Sequence, residues 1–140
     1  MDIQQTQEAI IEEFAVFDDW MDKYSYLIEI GNDLDNFDEA NRTSQHLIEG
    51  CQSKVWLHAE QKNGQVIYTA DSDAIIVKGI VALLIRVWSG HTPQEIVESD
   101  LTFVEKIGLK DHLSPSRSNG LVAMIKQMKL YALAFKSLQN

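Results

Sequence analysis

The chain has a single cysteine, far fewer basic than acidic residues, and no uninterrupted apolar run of bilayer length. Each shortage excludes something. One thiol, Cys51, cannot close an internal disulfide and supplies too few thiolates for a zinc or iron–sulfur cage. Twelve basic residues against 21 acidic ones leave a formal net charge of −9. That balance opposes binding to phosphate backbones or anionic lipid and favours a basic patch on a protein partner, so neither nucleic acid nor membrane is expected as a ligand. The most apolar stretch, Ile75 to Trp88, is interrupted by Lys78 and Arg86 and is too short to cross a bilayer. The opening Met1-Asp2-Ile3-Gln4-Gln5-Thr6 has neither the basic nor the apolar region of a signal peptide, so a reducing cytoplasm and a free Cys51 thiol are expected. Repeats, low-complexity tracts and linkers are also missing.

What is present reads as one domain over residues 1–140, long enough to bury about 68–70% of its unfolded surface around a genuine core. Ile10, Ile11, Phe14 and Phe17 recur at helical spacing, and Asp18-Asp19 offers a cap for a second amphipathic helix that Gly31 is expected to stop. Asn32 to Ser44 is acidic and polar and reads as a solvated connection. The period then changes to alternation in Val55, Leu57 and Ala59, and Lys62-Asn63-Gly64-Gln65 carries the Asn-Gly of a type I′ hairpin returning through Val66 to Tyr68. A further short strand at His46-Leu47-Ile48 completes an expected three-stranded antiparallel sheet. Ser72 or Asp73 is placed to cap a helix from Ala74 to Trp88 that is apolar nearly all round, hence buried and central. Thr92-Pro93-Gln94-Glu95 is a capping box with proline at the first helical position. A long final helix carries Leu121, Met124, Ile125, Met128, Tyr131 and Phe135 inward. The order, helices then a small sheet then helices, is α+β.

The chemistry centres on Cys51. A lone cysteine is either a packed small hydrophobe or a working nucleophile, and here Gly50 before it and Gln52, Ser53 and Lys54 after it place it on a loop tip. Acidity alone gains little. Lowering a thiol from about 8.5 to about 7 raises the thiolate fraction roughly 16-fold but costs about 5-fold in nucleophilicity, a net factor of about 3. Positioning and shielding should therefore matter more. His46 and His58 flank the cysteine in sequence, but along an extended strand His58 lies more than about 20 Å away, which argues against a Cys-His hydrolase pair. His91 and His112 have no ligand spacing, so no metal site is expected. Asp71 and Asp73 bracket a helix start, where plain capping is the simple reading. Arg117 stands in a first helical turn, where its charge opposes the dipole, so it should face a carboxylate or another protein.

Three segments together carry a family likeness: Gly50-Cys51-Gln52-Ser53-Lys54-Val55-Trp56, Asp71-Ser72-Asp73-Ala74-Ile75-Ile76-Val77-Lys78-Gly79, and Leu113-Ser114-Pro115-Ser116-Arg117-Ser118-Asn119-Gly120-Leu121. In this order they make the chain resemble, almost end to end, the SufE family of cysteine desulfuration proteins. The resemblance implies a fold shared with U-type iron–sulfur scaffolds, a three-stranded antiparallel sheet packed on helices. It implies that Cys51 accepts sulfur from a persulfide on a pyridoxal-phosphate cysteine desulfurase of SufS type and passes it to a SufBCD-type scaffold complex. The chain would then bind no cofactor itself and carry only a transient persulfide on Cys51. By position, Asp73 looks like a neighbour that sets loop mobility, Arg117 looks like a partner contact, and Gly50, Gln52 and Asp71 look like loop support. Gln52-Ser53 is more like the Suf branch than the paralogous Csd branch, and a Csd-type paralogue or a regulatory module that accepts no sulfur are the alternatives.

Overall fold

The computed structural model describes residues 1–138. Helix α1 (Ile3–Ala15) begins earlier than its apolar spacing predicts, because Asp2 and Gln5 form a reciprocal capping box. Helix α2 (Trp20–Asn32) is capped as expected by Asp19, whose carboxylate accepts the Asp22 N–H at 2.9 Å. Gly31 does not stop it. That glycine is buried inside the last turn, where a Cβ would stand 2.8 Å from the Gly79 backbone nitrogen.

Gly79 belongs to helix α3 (Ile75–Trp88), the central element, with Val81, Leu83, Leu84, Val87 and Trp88 all fully buried. Each such side chain contributes about 1.5–3 kcal/mol relative to exposure. Ala74, not Ser72 or Asp73, occupies the N-cap position, and it makes no side-chain cap bond. The simple capping reading of Asp73 is therefore wrong, since its carboxylate is committed elsewhere.

Strands β1 (Val55–Lys62) and β2 (Gln65–Ser72) form an antiparallel hairpin in the register Val55↔Ser72 through Lys62↔Gln65. Asn63 and Gly64 take φ of 53° and 78°, the left-handed pair that a type I′ turn requires. Val55, Leu57, Val66, Tyr68 and Ala70 point to the core. The expected third strand does not form. Ser44–His46 is a 3-10 turn, and only Leu47 bridges Trp56, followed by the Ile48 N–H donating to the Val55 carbonyl at 2.9 Å. Gly50, at φ 94°, then turns the chain away, so the pairing ends before it gains strand length.

Helix α4 (Pro93–Glu98) starts at the Thr92/Glu95 capping box, and the short helix α5 (Phe103–Lys106) follows. Helix α6 (Pro115–Leu138) lays Leu121, Met124, Met128 and Ala132 on the core, and the Tyr68 hydroxyl donates to the Met128 carbonyl at 2.7 Å. The buried Gln7 ties the helices together: its amide donates to the Asp100 carbonyl at 3.0 Å and accepts the Phe103 N–H at 3.1 Å.

A methyl group on Gly79 would fall well inside contact distance of the Leu27 carbonyl, whereas one on Gly64 would meet nothing. Gly79→Ala should therefore destabilise by about 3 kcal/mol or more in urea unfolding. Gly64→Ala should lose only about 1 kcal/mol, from its positive φ alone.

Candidate functional site

The cysteine loop lies between the end of the Leu47–Ile48 segment and β1. Two glycines let it rest on α6. A side chain at Gly50 would be strained and would stand 3.3 Å from the Ala123 Cβ, and one at Gly120 would stand 3.3 Å from the Cys51 sulfur. Cys51 is half-buried there, its Sγ 3.7 Å from the Gly120 carbonyl oxygen. A cavity of about 340 Å³ opens beside it, lined by Cys51, Gln52 and Ser53 of the loop, Val77 of α3, and Ser114, Ser116, Arg117, Gly120 and Met124 at the start of α6. Val77, Gly120 and Met124 give the cavity an apolar side; serines, an amide and a guanidinium give it a polar one. Burial pushes the Cys51 thiol above its ordinary pKa. In this arrangement the sulfur rests protonated and shielded instead of standing ready as a thiolate.

Asp73 closes the base of the loop. Its Oδ1 accepts the Lys54 N–H at 3.0 Å, and its own N–H donates to the Lys54 carbonyl at 3.2 Å. The loop end is thereby tied to the entry of α3, and this is why the carboxylate does not cap that helix. Asp71 stands apart from the Cys51 cavity. Its carboxylate binds Arg42 Nη2 at 2.8 Å, Lys78 Nζ at 3.3 Å and the Ser72 N–H at 2.8 Å. Partial burial works against its ionisation, but hydrogen bonds from Arg42, the Ser72 N–H and Lys78 outweigh it and hold the pKa below the usual carboxylate range. Arg42 also lies over the Trp56 ring, 4.7 Å from its centroid, so Asp71 braces the 39–42 turn against the hairpin.

Arg117 reaches the cavity from the first turn of α6, where its N–H donates to Ser114 Oγ at 3.4 Å. Arg42 and Arg86 are each paired with carboxylates, while among the described residues Arg117 pairs with none. Of its two expected neighbours, the carboxylate is not found among the described residues. No described histidine lines the cavity: His58 Nδ1 lies 3.2 Å from His46 Nε2, so these two rings face each other. Val77, Gly120 and Met124 were not marked as site residues by sequence reasoning. Their signal was submerged, since Val77 and Met124 fit the core pattern and Gly120 closes a polar stretch in which nothing local marks it as packing on a distant thiol. No cluster of three or more His, Cys, Asp or Glu side chains that could hold a metal occurs among the described residues, and no described helix is long and apolar enough to cross a membrane.

Fold and site together define a small α+β protein built around one shielded loop thiol. The SufE family model, described as an Fe-S metabolism associated domain, matches residues 8–132. An uncharacterized SufE-like protein of Rhizobium meliloti (strain 1021) is 42% identical over 127 residues, covering 87% of this chain and 91% of that relative. The solution structure of a hypothetical protein from Thermus thermophilus superposes with a TM-score of 0.76 over 96% of this chain and 97% of that one, and at 20% identity it speaks to the fold alone. The chain belongs to the SufE family, and with the family comes a role in Fe–S metabolism and sulfur transfer.

The shielding has a measurable consequence. Alkylation of native Cys51 by iodoacetamide should rise with pH through a midpoint above that of the urea-unfolded chain. Because the folded pKa is the higher one, the thiol's contribution to stability is fully present below the unfolded thiol pKa and is lost as pH rises through the folded value. Asp73→Ala, which frees the Lys54 N–H, should speed native alkylation several-fold at neutral pH without shifting the unfolded rate.

Proposed function

We propose that Cys51 is the acceptor and carrier of sulfur delivered as a persulfide by a pyridoxal-phosphate cysteine desulfurase of SufS type, and that it hands the sulfur to a SufBCD-type scaffold complex. The observation that carries this reading is the convergence of the three family-like segments on one thiol. The Cys51 loop, Val77 of the second segment and the Ser114–Gly120 start of α6 line the same cavity, and Asp73 of that second segment ties down the end of the loop at Lys54. A thiol held neutral and half-covered suits a carrier better than a free-standing catalyst: it resists oxidation and stray alkylation until a partner engages the loop.

The step is a thiol–disulfide type exchange. Once the loop is engaged and the proton is lost, the Cys51 thiolate attacks the outer sulfur of the donor persulfide. A new S–S bond forms at Cys51, the donor S–S bond breaks, and the donor cysteine leaves as thiolate, with no net oxidation. Arg117, exposed at the cavity and without a carboxylate of its own among the described residues, is a contact for an acidic group on the desulfurase. Gln52 at the loop surface and Gly50 as its pivot support presentation, and Asp73 sets how readily the loop moves.

Intact-protein mass spectrometry after incubation with a SufS-type desulfurase and free cysteine tests the proposal. Wild-type protein should gain whole sulfur atoms that a reductant removes, and Cys51→Ser should gain none while still binding the desulfurase. A Cys51→Ser variant that stimulates desulfurase turnover as well as wild type would make this chain a regulator and not a carrier.

A further inference from the structure

Outside the sulfur site, one pair of side chains has a geometry that its sequence positions hide. His46, in the 3-10 turn before the cysteine loop, and His58, in the middle of β1, meet with Nε2 and Nδ1 3.2 Å apart, ring centroids 5.2 Å apart and planes inclined by 53°. We propose that these two nitrogens form a chelating pair for a borderline divalent ion of the zinc class, which clamps the 43–47 segment to β1.

Three observations carry the assignment. The first is spacing. Two imidazole nitrogens at about 2.05 Å from one tetrahedral ion stand about 3.3 Å apart. The observed 3.2 Å corresponds to an angle of about 103° at such an ion. The second is the outer nitrogens. His46 Nδ1 lies 3.0 Å from Thr43 Oγ1, and His58 Nε2 faces the Glu60 carboxylate at 4.0 Å. Metal-bound imidazoles characteristically engage their remaining N–H in a hydrogen bond, a partner that Thr43 supplies for His46, while the Glu60 carboxylate lies beyond hydrogen-bond reach of His58 and adds only a nearby negative charge. The third is access. Both rings are half-exposed, so water can complete the coordination sphere where no third protein ligand stands among the described residues.

Without metal, one choice of tautomers satisfies the pair as a hydrogen-bond chain: with the proton of His46 on Nε2 and that of His58 on Nε2, the Thr43 hydroxyl donates to His46 Nδ1 and His46 Nε2–H donates to His58 Nδ1. From that state, loading an ion requires the His46 proton to move to Nδ1, the Thr43 hydroxyl to turn to accept it, and the two inner lone pairs to converge on one point. Both rings stay neutral and both inner lone pairs are freed. Imidazole ligands suit zinc, copper and nickel, and two of them with water make a site of moderate strength, distinct from the closed four-ligand structural sites. Leu47, next to His46, makes the bridge to Trp56, so an ion held here would tighten the chain segment that leads into Gly50 and Cys51.

The test is Zn²⁺ titration of the full chain in a Cys51→Ser background, which removes the thiol as a competing ligand. Calorimetry should show one ion per chain with a dissociation constant in the micromolar to tens-of-micromolar range. H46Q and H58Q should each weaken it at least tenfold, and the H91Q/H112Q double variant should leave it unchanged. In the chain with all four histidines, the imidazole NMR signals of His46 and His58 should shift together on Zn²⁺ addition, a readout that does not depend on how well either variant folds. Absence of saturable binding up to about 1 mM, or an isotherm that neither H46Q nor H58Q alters, would overturn the site. Persulfide loading of the wild-type-cysteine chain is independent of these outcomes.

Discussion

Helix α3 is apolar on nearly every face, and covering it on all sides is the constraint from which the rest of the fold follows. Helix α2 can approach closely only because Gly31 and Gly79 meet where side chains would collide. The hairpin covers a second side with Val55, Leu57, Val66, Tyr68 and Ala70, while α1 and α6 close the remainder with Ile10, Phe14, Leu121 and Met128. A helix this greedy for cover draws two otherwise unrelated parts of the chain, the cysteine loop and the start of α6, to its first turns. Val77, near its N-terminus, is at once a core residue and a wall of the Cys51 cavity.

This shared wall explains why so small a protein can shield a thiol. The loop has no hydrophobic anchor apart from Cys51 itself, which packs on the core as a partly buried side chain. Its shelter is borrowed from α6, whose Gly120 provides the concavity, and its footing comes from Asp73. The charged groups nearby have separate duties. Asp71 is consumed by Arg42 and Lys78 in holding the acidic connection onto the hairpin, and at the cavity Arg117 remains without a carboxylate partner among the described residues.

Much of this was legible in the sequence where one residue type answers to one local rule. The Asn63-Gly64 turn, the Asp19 cap, the Thr92/Glu95 box and the buried α3 all follow from local chemistry, and the Gly50-Cys51 loop stands where its polar neighbours put it. Two of the failures share a cause, a partner distant in sequence that overrides the local preference, and the third is local. Gly31 reads as a helix stop until Gly79 is known to press against it. Asp73 reads as a cap until Lys54 offers both its N–H and its carbonyl. His46-Leu47-Ile48 has strand composition, but the 3-10 turn before it and the positive φ of Gly50 after it leave room for a single bridge. The cavity beside Cys51 could not be read at all, because its lining comes from three segments whose apolar members are indistinguishable from core.

For the carrier role proposed above, the important quantity is what the loop must give up to present its sulfur. The Sγ contact to Gly120 is long and weak, and the two Asp73–Lys54 hydrogen bonds stay made while they hold the loop's end and limit how freely it opens. Motion can be confined to residues 50–53, between a glycine pivot already at positive φ and an anchored Lys54. The main loss is then the half-burial of one small side chain, on the order of 1 kcal/mol, with the thiol also relieved of the burial that raises its pKa. A penalty of that size leaves the presented state populated at roughly the ten per cent level. It lowers the apparent affinity for a partner by only about that factor, which a few interface contacts restore. Exposure and ionisation are thus coupled in one movement: the geometry that makes Cys51 reachable is also the one that makes it nucleophilic.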